Sequence, residues 1–475
     1  SRRPPKVSWW WKGIFRKCSS DRLPAMRRLR LPSLKTQVDI LLYRLLVVTC
    51  LGVMVYAQVW KEKPVIDWDV TIYYSYLPAT FLYEEFQFDP QRNPEWAKRH
   101  FFWQKTKSGK EYQKMTAGLA VLYAPFFGLG HLGASLSPTW PEDGFSLPYR
   151  MALLLSSLFY VLWGLHLLRL VLRHFFAPGP AGLALVAIFA GTNLPYYTMV
   201  EPMSHGYSFM LVCALLWAYL RFWKKPAWPW GGLFGLLAGL IVWIRPTNGV
   251  VLLLPMLHWL FQPVGAGPTH WRTLALSVGV AFLTVFPQLL YWHSTTGQWL
   301  VYSYGEQGFF WGDPELWKGF FSYRKGWFTY APILWLALPG WLFWARTHPR
   351  WAGVGLLVLA LASYVTFSWW SWWYGGGYGA RPLIEFLPLM ALALGALFQY
   401  LRGLRPLWQG LAFVLGLYLV SWSVFMNKQY YFGIIHYDGM TRELFWAQFW
   451  KDDYVKNYDA LVDRPDYEAA LKNQE

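Results

Sequence analysis

The chain has 475 residues, of which 55% are hydrophobic and 20% aromatic, and its formal net charge is +17. Soluble domains of this size rarely carry so much aromatic surface, whereas Trp and Tyr favour membrane interfaces. The basic residues stand in short clusters between apolar runs, which follows the positive-inside rule and argues against a nucleic-acid partner. Because segments of about 20 apolar residues recur along the chain, we predict an all-α polytopic membrane protein.

Residues 1–37 form a basic arm that is interrupted by Trp9, Trp10 and Trp11. This composition favours contact with an anionic membrane surface on the cytoplasmic side. The arm has no short apolar core followed by a small-residue cleavage site, so we expect no cleaved signal peptide. The three cysteines of the chain show neither a disulfide framework nor a metal-ligand spacing.

About eleven transmembrane helices are predicted from the apolar segments. They are residues 38–59, 149–172, 182–199, 205–222, 231–244, 249–261, 274–291, 328–345, 352–369, 383–401 and 407–426. The pair 231–244 and 249–261 is short for two full spans and is broken by Arg245-Pro246-Thr247-Asn248. A broken hairpin of this kind often lines a cavity.

The long segment 60–148 contains one further apolar piece, residues 115–136, which is rich in glycine and contains proline. If this piece does not cross the membrane, the later basic clusters join the N-terminal arm on the cytoplasmic side, as the positive-inside rule favours. We therefore predict in-plane helices within a first exoplasmic loop, residues 60–148. A membrane domain over residues 38–427 is then followed by a short exoplasmic tail, residues 428–475.

Two carboxylates, Asp67 and Asp69, follow the first span directly. A carboxylate at the membrane centre costs roughly 2.5–3.5 kcal/mol, so acids near a membrane face usually have a function or a water shell. Carboxylates act as general bases, and the Arg fork matches phosphate oxygens. In the topology above, other polar residues share this face: Lys114, Glu201, His205, Arg245, Arg324, Lys325, Arg381 and Glu385.

Each of these residues also has a plain structural explanation. Loop residues of any membrane protein are polar, and an interfacial Arg often snorkels. A lone His205 at the start of a span is more often a capping residue than a ligand. The run 369–378, which contains Trp373 and Tyr374, either stacks on a sugar or prenyl chain or forms an interfacial belt. The set as a whole favours a functional site.

The stretch Asp69-Val70-Thr71-Ile72-Tyr73 resembles the Asp-Glu-x-x-Tyr motif of the C-type glycosyltransferase superfamily (GT-C). The similar branch holds protein mannosyltransferases and lipid A aminoarabinose transferases, and uncharacterised bacterial members share Glu-Pro-Met-Ser-His and Arg-Pro-Thr-Asn-Gly. Residues 112–115 with 147–150 are similar to that branch's lysine loop and Arg-led span, and residues 379–388 to its late Arg-containing span. The resemblance covers about residues 38–426.

The resemblance implies a multi-pass enzyme of the bacterial inner membrane with a cytoplasmic N-terminus and a periplasmic active site. It would move a sugar from a polyprenyl-phosphate donor to an acceptor hydroxyl, with inversion. Asp69 would be the base, with Asp67 as a second carboxylate, and the lipid phosphate would be held by Arg381, Arg245, Lys325 and Arg324. Substrate contacts would come from Glu201, His205, Lys114, Tyr73, Tyr74, Glu385, Trp373 and Tyr374.

Val70 replaces the Glu of the family motif, so a divalent metal ion lacks a supporting ligand and no cofactor is predicted. The acceptor is left open between a glycan, a lipid and a protein. Two other functions also remain open from the sequence. One is a lipid or glycan transporter or flippase, and the other is a non-catalytic subunit whose arm and tail dock partners in a membrane complex.

Overall fold

The computed structural model describes residues 37–84, 103–105, 109, 111–224, 227–261 and 268–474. The predicted basic arm, apart from Gln37, and part of the predicted loop 60–148 lie outside these ranges. Within them the chain is helical, and its strands are limited to one antiparallel hairpin, Trp103–Lys105 with Glu111–Gln113. The predicted class, an all-α polytopic membrane protein, is confirmed.

Long apolar helices alternate with short helices in connecting loops. In the first half they are α1 (Val38–Ala57), α2 (Val59–Glu62), α3 (Trp68–Tyr74), α4 (Tyr76–Phe81), α5 (Gly118–Ser135), α6 (Leu147–Phe175), α7 (Pro178–Ala190), α8 (Leu194–Met199), α9 (Ser204–Lys224) and α10 (Trp228–Ile244). In the second half they are α11 (Leu253–Leu260), α12 (Pro268–Thr296), α13 (Leu316–Phe321), α14 (Trp327–Tyr330), α15 (Ala337–Thr347), α16 (Pro349–Phe367), α17 (Leu387–Leu401), α18 (Pro406–Tyr431), α19 (Arg442–Ala447), α20 (Tyr458–Leu461) and α21 (Tyr467–Leu471).

Each of the predicted spans coincides with helical structure. In the described ranges, eight helices are long and apolar enough to cross a membrane by length and composition, and α7 and α10 are shorter apolar helices. The predicted spans 182–199, 249–261 and 328–345 are interrupted, however, and the first of them is divided between α7, which ends at Ala190, and α8, which begins at Leu194. A 3₁₀ turn, Pro246–Leu252, precedes α11, and another, Pro332–Leu336, precedes α15.

An ion pair shows how α1 and α6 run relative to each other. Asp39, near the start of α1, has its Oδ2 2.7 Å from Arg169 Nη1 and 3.6 Å from Arg173 Nε, near the end of α6. The two helices are therefore antiparallel, and the segment between them begins and ends at one end of the bundle. We call this the Asp69 end, and the opposite one the Asp39 end.

Helix α5 touches the Asp69 end at both of its own ends. A Cβ on Gly118 would lie 2.8 Å from the backbone nitrogen of Ile244, where α10 ends. A Cβ on Gly133 would lie 3.4 Å from the Cβ of Pro148, where α6 begins. This is the geometry that a non-crossing segment 115–136 requires. By length and composition, however, α5 is itself one of the helices that could cross a membrane. Its in-plane position in a membrane stays a prediction.

A row of small residues brings α10 close to α12. Gly231, Gly235 and Gly239 recur every four residues, and a Cβ on Gly235 would lie 2.3 Å from the carbonyl oxygen of Ser277. Ser277 Oγ also donates to the Gly231 carbonyl at 2.9 Å. Small residues at this spacing allow helix backbones to approach closely in a membrane. The contact holds the end of α10, from which Arg245 follows.

The last span continues to Tyr431, beyond its predicted end at residue 426. The residues after it, 432–474, which we call the C-terminal tail, fold back over the Asp69 end. Gly377 N donates to the Tyr437 carbonyl at 3.1 Å, and Trp446 Nε1 donates to the Tyr323 hydroxyl at 3.1 Å. The tail is thus part of the structure that surrounds the polar residues of that end.

Candidate functional site

The two acids that follow the first span take different positions at the start of α3. Asp67 is the N-cap, and its Oδ1 accepts a hydrogen bond from Trp68 N at 2.9 Å. Trp68 has a φ of +46°, a left-handed conformation that costs a non-glycine residue of order 1–3 kcal/mol. Asp69 lies in the first turn, where the helix dipole favours a carboxylate.

Asp69 forms an ion pair with Arg381. Its Oδ2 lies 3.2 Å from Arg381 Nη2, and the two side chains are 28% and 12% exposed, respectively. Arg381 Nη2 also donates to the Tyr374 carbonyl at 2.8 Å, and Nη1 lies 3.2 Å from Met203 Sδ. The guanidinium is therefore held on two sides while the carboxylate keeps contact with solvent.

A second group is centred on the buried carboxylate of Glu385. Its Oε1 lies 3.0 Å from His205 Nδ1 and 3.4 Å from Asn248 Nδ2. Arg245 Nη1 is 3.2 Å from His205 Nε2 and 3.7 Å from Glu385 Oε1. Arg245 Nη1 also lies 3.0 Å from His205 Nδ1, so the guanidinium approaches both ring nitrogens of the imidazole.

The hydrogen-bonding capacity of the Glu385 carboxylate is only partly used. Its side chain is fully buried, and its Oε2 has no hydrogen-bond partner among the described residues. The 3₁₀ turn Arg381–Phe386 carries both Arg381 and Glu385, so one short element connects the two groups. Tyr73, which is buried in α3, hydrogen-bonds Ser204 and lies near Arg245 and Asp69.

Glu201 and Lys114 lie in loops around this centre. Burial raises the pKa of Glu201 to about 7, with Arg381 opposing the shift and Asp69 adding to it. Lys114 Nζ donates to Gln307 Oε1 at 2.9 Å and lies 5.1 Å from the centre of the Tyr304 ring. Burial lowers the pKa of Lys114, while the Asp69 carboxylate acts in the opposite direction.

The structure gives Lys325 and Arg324 contacts of their own. Lys325 Nζ donates to the carbonyls of Gly377 and Tyr437, and burial lowers its pKa to about 7. Arg324 Nη2 lies 3.5 Å from Asp463 Oδ2, and its guanidinium lies 5.3 Å from the centre of the Trp373 ring. Lys325 thus connects the C-terminal tail to the loop that precedes Arg381, and the phosphate-binding role predicted for both residues stays a prediction.

Two predicted substrate residues lie away from the Asp69–Arg381 pair. Tyr74 is buried, donates to the Gly144 carbonyl at 2.5 Å and packs against Phe127. Trp373 is 2% exposed and contacts Tyr467 of the C-terminal tail, with its Nε1 3.5 Å from the Tyr467 hydroxyl. Tyr374, by contrast, contacts Arg381 through its backbone, although its hydroxyl donates to the Thr366 carbonyl at 3.0 Å.

Several contributors to the site were not among the predicted residues. They are Asn248, which faces Glu385; Met203 and Gly377, which contact Arg381; and Gln307, which binds Lys114. Only Asn248 carried a usable signal, because it belongs to the break between two short spans. The others contribute a thioether, a backbone position and an amide, which a single sequence does not distinguish from ordinary loop residues.

In the described part of the chain, no group of three or more His, Cys, Asp or Glu side chains has the arrangement to hold a metal ion. Val70, at the position where the family motif has Glu, is 1% exposed and packs in the core. The carboxylates near the centre face guanidinium groups instead, which is an arrangement suited to an anionic ligand.

No family model and no curated protein sequence matches the chain. Among solved structures, the chain is similar to ArnT from Cupriavidus metallidurans in the apo state, with a TM-score of 0.43 and 15% sequence identity. The match covers 76% of this chain and 60% of that one, so this chain spans less than two thirds of the length of ArnT. At this level of similarity, the function has to be argued from the residues of the chain itself.

Proposed function

We propose that the chain is a multi-pass membrane glycosyltransferase of the GT-C type. It would move a sugar from a polyprenyl-phosphate donor to an acceptor hydroxyl on the exoplasmic face. The observation that supports this most directly is the contact between the partly exposed Asp69 and Arg381, 3.2 Å apart at one end of an apolar bundle. This contact sets a candidate base beside a group that could bind a phosphate. A lipid-linked sugar could reach the pair from the membrane, and a polar acceptor could reach it from the solvent.

In the proposed reaction, Asp69 accepts the proton of the acceptor hydroxyl. The acceptor oxygen then forms a bond to the anomeric carbon of the sugar, on the side opposite the lipid phosphate. The bond between that carbon and the phosphate oxygen breaks, and its electron pair leaves with the phosphate. The configuration at the anomeric carbon is inverted, and negative charge collects on the lipid phosphate, where Arg381 and Arg245 stabilise it.

The resting ion pair gives this reaction an order of events. While Arg381 binds Asp69 Oδ2, that oxygen is occupied and does not accept a proton from an acceptor hydroxyl. A bound donor phosphate offers Arg381 a second anionic partner and draws the guanidinium away. Asp69 is then free to take a proton, so donor binding precedes activation of the acceptor.

The Glu385 group supports Arg245 in the same proposal. His205 joins the buried carboxylate to the guanidinium, and Asn248 donates to the same carboxylate oxygen. These contacts restrict the rotation of the long Arg245 side chain, whose charge also lies near Tyr73. Pre-organised donors of this kind act strongly because they need no rearrangement when charge develops.

The cellular setting follows from the predicted topology and is proposed with it. The chain would reside in a bacterial inner membrane with the Asp69 end in the periplasm. Its partners would be the polyprenyl-phosphate-linked sugar, membrane lipids and an acceptor glycan, lipid or protein.

The test is sugar transfer by the full chain in detergent, supplied with a panel of polyprenyl-phosphate sugars. Asp69→Asn should lower the transfer rate about 10²–10⁴-fold, the usual contribution of a general base. Asp143→Asn is the control, because Asp143 is also a half-buried carboxylate of the segment 60–148, and its Oδ1 accepts from Phe145 N and Ser146 N at 2.8 and 2.7 Å. Undiminished transfer by a folded Asp69→Asn variant would disprove the catalytic role.

A parent chain that transfers no sugar from any donor would instead favour a transporter or a non-catalytic subunit. Reconstituting the chain in vesicles with a fluorescent lipid-linked sugar separates these two. A transporter moves the lipid across the bilayer, and a subunit does not.

A further inference from the structure

Residues 374–379, which we call the glycine loop, lie between α16 and the 3₁₀ turn that carries Arg381. Their sequence is Tyr-Gly-Gly-Gly-Tyr-Gly. Gly375 and Gly379 have φ values of +64° and +59°, which glycine adopts without a steric penalty. Because glycines have no side chains with which to pack, the conformation of this loop depends on contacts from neighbouring segments.

The glycine loop contacts both the head and the stem of the Arg381 side chain. At the head, the Tyr374 carbonyl accepts a hydrogen bond from Arg381 Nη2 at 2.8 Å. At the stem, a Cβ on Gly377 would lie 3.1 Å from Arg381 Cδ, so the Gly377 backbone borders the aliphatic part of the side chain. The conformation of the loop therefore limits the directions in which the guanidinium can point.

The C-terminal tail and Lys325 together hold the middle of the glycine loop. Gly377 N donates to the Tyr437 carbonyl at 3.1 Å, and Lys325 Nζ donates to the carbonyls of both Gly377 and Tyr437. A Cβ on Gly376 would lie 3.2 Å from Tyr437 Cδ2, so the Tyr437 ring packs against the neighbouring glycine. Both backbone polar groups of Gly377 are thus bound from outside the loop.

Tyr437 belongs to a turn of the tail that is itself held in place. His436 Nδ1 accepts from Gly439 N at 2.9 Å, and the His436 and Tyr437 rings stack with their centres 4.4 Å apart. Asp438, whose side chain is 6% exposed, accepts from the Tyr467 hydroxyl at 3.0 Å. This bond anchors the turn to α21, so the Tyr437 carbonyl has a defined position from which it can hold the loop.

The two ends of the glycine loop are held by the helix bundle instead. At the start, the Tyr374 hydroxyl donates to the Thr366 carbonyl of α16 at 3.0 Å. Near the end, Tyr378 N donates to the Tyr197 hydroxyl at 2.7 Å, and Asn193 Nδ2 donates to the Tyr378 carbonyl at 2.9 Å. The glycines between these anchors are the part of the loop that the tail contacts.

Lys325 is placed for a structural contact with the loop rather than for direct contact with a ligand. It is 3% exposed, and two carbonyls use two of the three donors of its ammonium group. A lipid phosphate would have to displace both carbonyls to bind it. Arg381, by contrast, is paired with the solvent-accessible carboxylate of Asp69.

We propose that the C-terminal tail is part of the donor site, because Tyr437 and Lys325 fix Gly377 and thereby position the Arg381 guanidinium for the donor phosphate. Tyr437 and Lys325 are positioning residues, since they act through the glycine loop. The proposal rests on the proposed function, in which Arg381 stabilises the lipid phosphate. It goes further by giving residues 432–474 a role in donor binding.

The test is the affinity of the full chain, in detergent, for a polyprenyl monophosphate that carries no sugar. Lys325→Met removes both contacts of the ammonium group and should weaken this binding about tenfold, by analogy with the cost of removing groups that orient a ligand. Asp438→Ala releases the turn from α21 and should weaken the binding in the same direction, from the tail side. The readout is the dissociation constant from native mass spectrometry.

The same two changes are then made in an Arg381→Gln chain. If the tail acts through Arg381, neither change should alter the remaining affinity more than about twofold, because the effects of coupled residues do not add. Amide hydrogen exchange of residues 374–381 is the second readout. It should rise in Lys325→Met and Asp438→Ala, since the hydrogen bond from Gly377 N is weakened in both.

Lys428→Met is the matched control, because Lys428 Nζ also binds the tail, at Asp452 Oδ1 and a distance of 2.8 Å. That pair is exposed on the surface, so its loss should change neither the affinity nor the exchange of the glycine loop. A loss of affinity as large as that in Lys325→Met would overturn the proposal.

Three further results would also overturn it. They are absence of saturable lipid-phosphate binding by the folded parent, unchanged affinity in a folded Lys325→Met or Asp438→Ala variant, and an equal loss in the Arg381→Gln chain. The expected pattern of binding in a chain that transfers no sugar supports the positioning role and rejects the transferase function. Sugar transfer by the parent with unchanged affinity in both variants does the reverse, so the two failures are distinguishable.

Discussion

Two contacts between a carboxylate and a guanidinium stand at opposite ends of the bundle. At the Asp39 end, Asp39 Oδ2 lies 2.7 Å from Arg169 Nη1, and the side chains are 2% and 11% exposed. At the Asp69 end, Asp69 Oδ2 lies 3.2 Å from Arg381 Nη2, and the carboxylate is 28% exposed. The chemistry is the same, but the surroundings differ.

The comparison shows how burial separates an ion pair that is closed to ligands from one that solvent can reach. Asp39 is enclosed by α6 and α7, where a Cβ on Gly182 would already lie 3.0 Å from the Asp39 Cα. A ligand has no room to replace either partner there. Asp69 has solvent beside it, and its guanidinium partner has further acceptors close by, so exchange of partners costs little. The tight pair holds helices together, and the looser one is suited to chemistry.

The largest effect is expected from breaking the pair at the Asp69 end. Arg381→Gln should lower the transfer rate about 10²–10³-fold, the range seen when one donor to a developing oxyanion is removed. Arg381→Lys, which retains the charge but not the fork, should recover part of that loss. The measurement is single-turnover transfer with saturating donor, and full activity of Arg381→Gln would contradict the proposed role.

Breaking the pair at the Asp39 end should instead affect stability. Asp39→Asn leaves Arg169 buried without its closest counter-charge, which should reduce the free energy of unfolding by about 3–5 kcal/mol. The readout is denaturant unfolding in detergent micelles, and transfer per folded molecule should be retained. Asp39→Asn combined with Arg169→Gln is the control, and it should be more stable than Asp39→Asn alone. A larger loss in the double variant would show that the two residues act independently.

A smaller effect on transfer is expected from Glu385→Gln. The amide oxygen can still accept from His205, but the side chain lacks the charge that attracts and orients Arg245. We expect about a tenfold fall in transfer, by analogy with the cost of removing groups that orient a ligand. The loss should appear as a higher KM for the donor as well as a lower kcat. His205→Asn is the companion variant, and an unchanged donor KM in both would separate this group from phosphate binding.

A further expected effect is a pH dependence of stability due to Lys325. Its folded pKa of about 7 lies below the ordinary value for lysine, so between that pH and about 10.5 the unfolded chain binds more protons than the folded one. This group therefore adds stability as the pH rises through that window. The unfolding midpoint of the parent should increase from pH 6.5 to 9.5 relative to Lys325→Met. A parallel response of both proteins would show that Lys325 stays charged.

Much of the fold was predictable from apolar runs and charge positions. The segments 38–59 and 149–172 appear as α1 and α6, and the chain between them starts and ends at the same end of the bundle, while the membrane sidedness that the basic clusters indicate stays a prediction. The break after Ile244 was predicted from Arg245-Pro246-Thr247-Asn248, whereas the interruption near Ala331 was not predicted. Local hydrophobicity reports that a helix exists, but where it gives way to a 3₁₀ turn depends on the helices packed around it.

The site was only partly predictable, for a similar reason. Asp69 and Arg381 were identified from their types and positions, yet their contact joins residues 312 apart in the chain. Lys325 was predicted to bind the lipid phosphate, and the structure adds that its ammonium group donates to the Gly377 and Tyr437 carbonyls, contacts that no sequence pattern indicated. Tyr74 was grouped with Tyr73 by adjacency, but successive residues of a helix point in different directions, and Tyr74 lies in the core.

By itself, the sequence determined that the chain is a helical membrane protein with its unusual acids and cations collected at one end. It could do so because apolar length and charge asymmetry act locally and additively. Only the tertiary structure decided which carboxylate meets which guanidinium, and therefore that Asp39 is a structural residue while Asp69 is available for chemistry. Those pairings depend on distances of a few ångströms between segments far apart in the chain, and burial then determines whether each pair can exchange its partner.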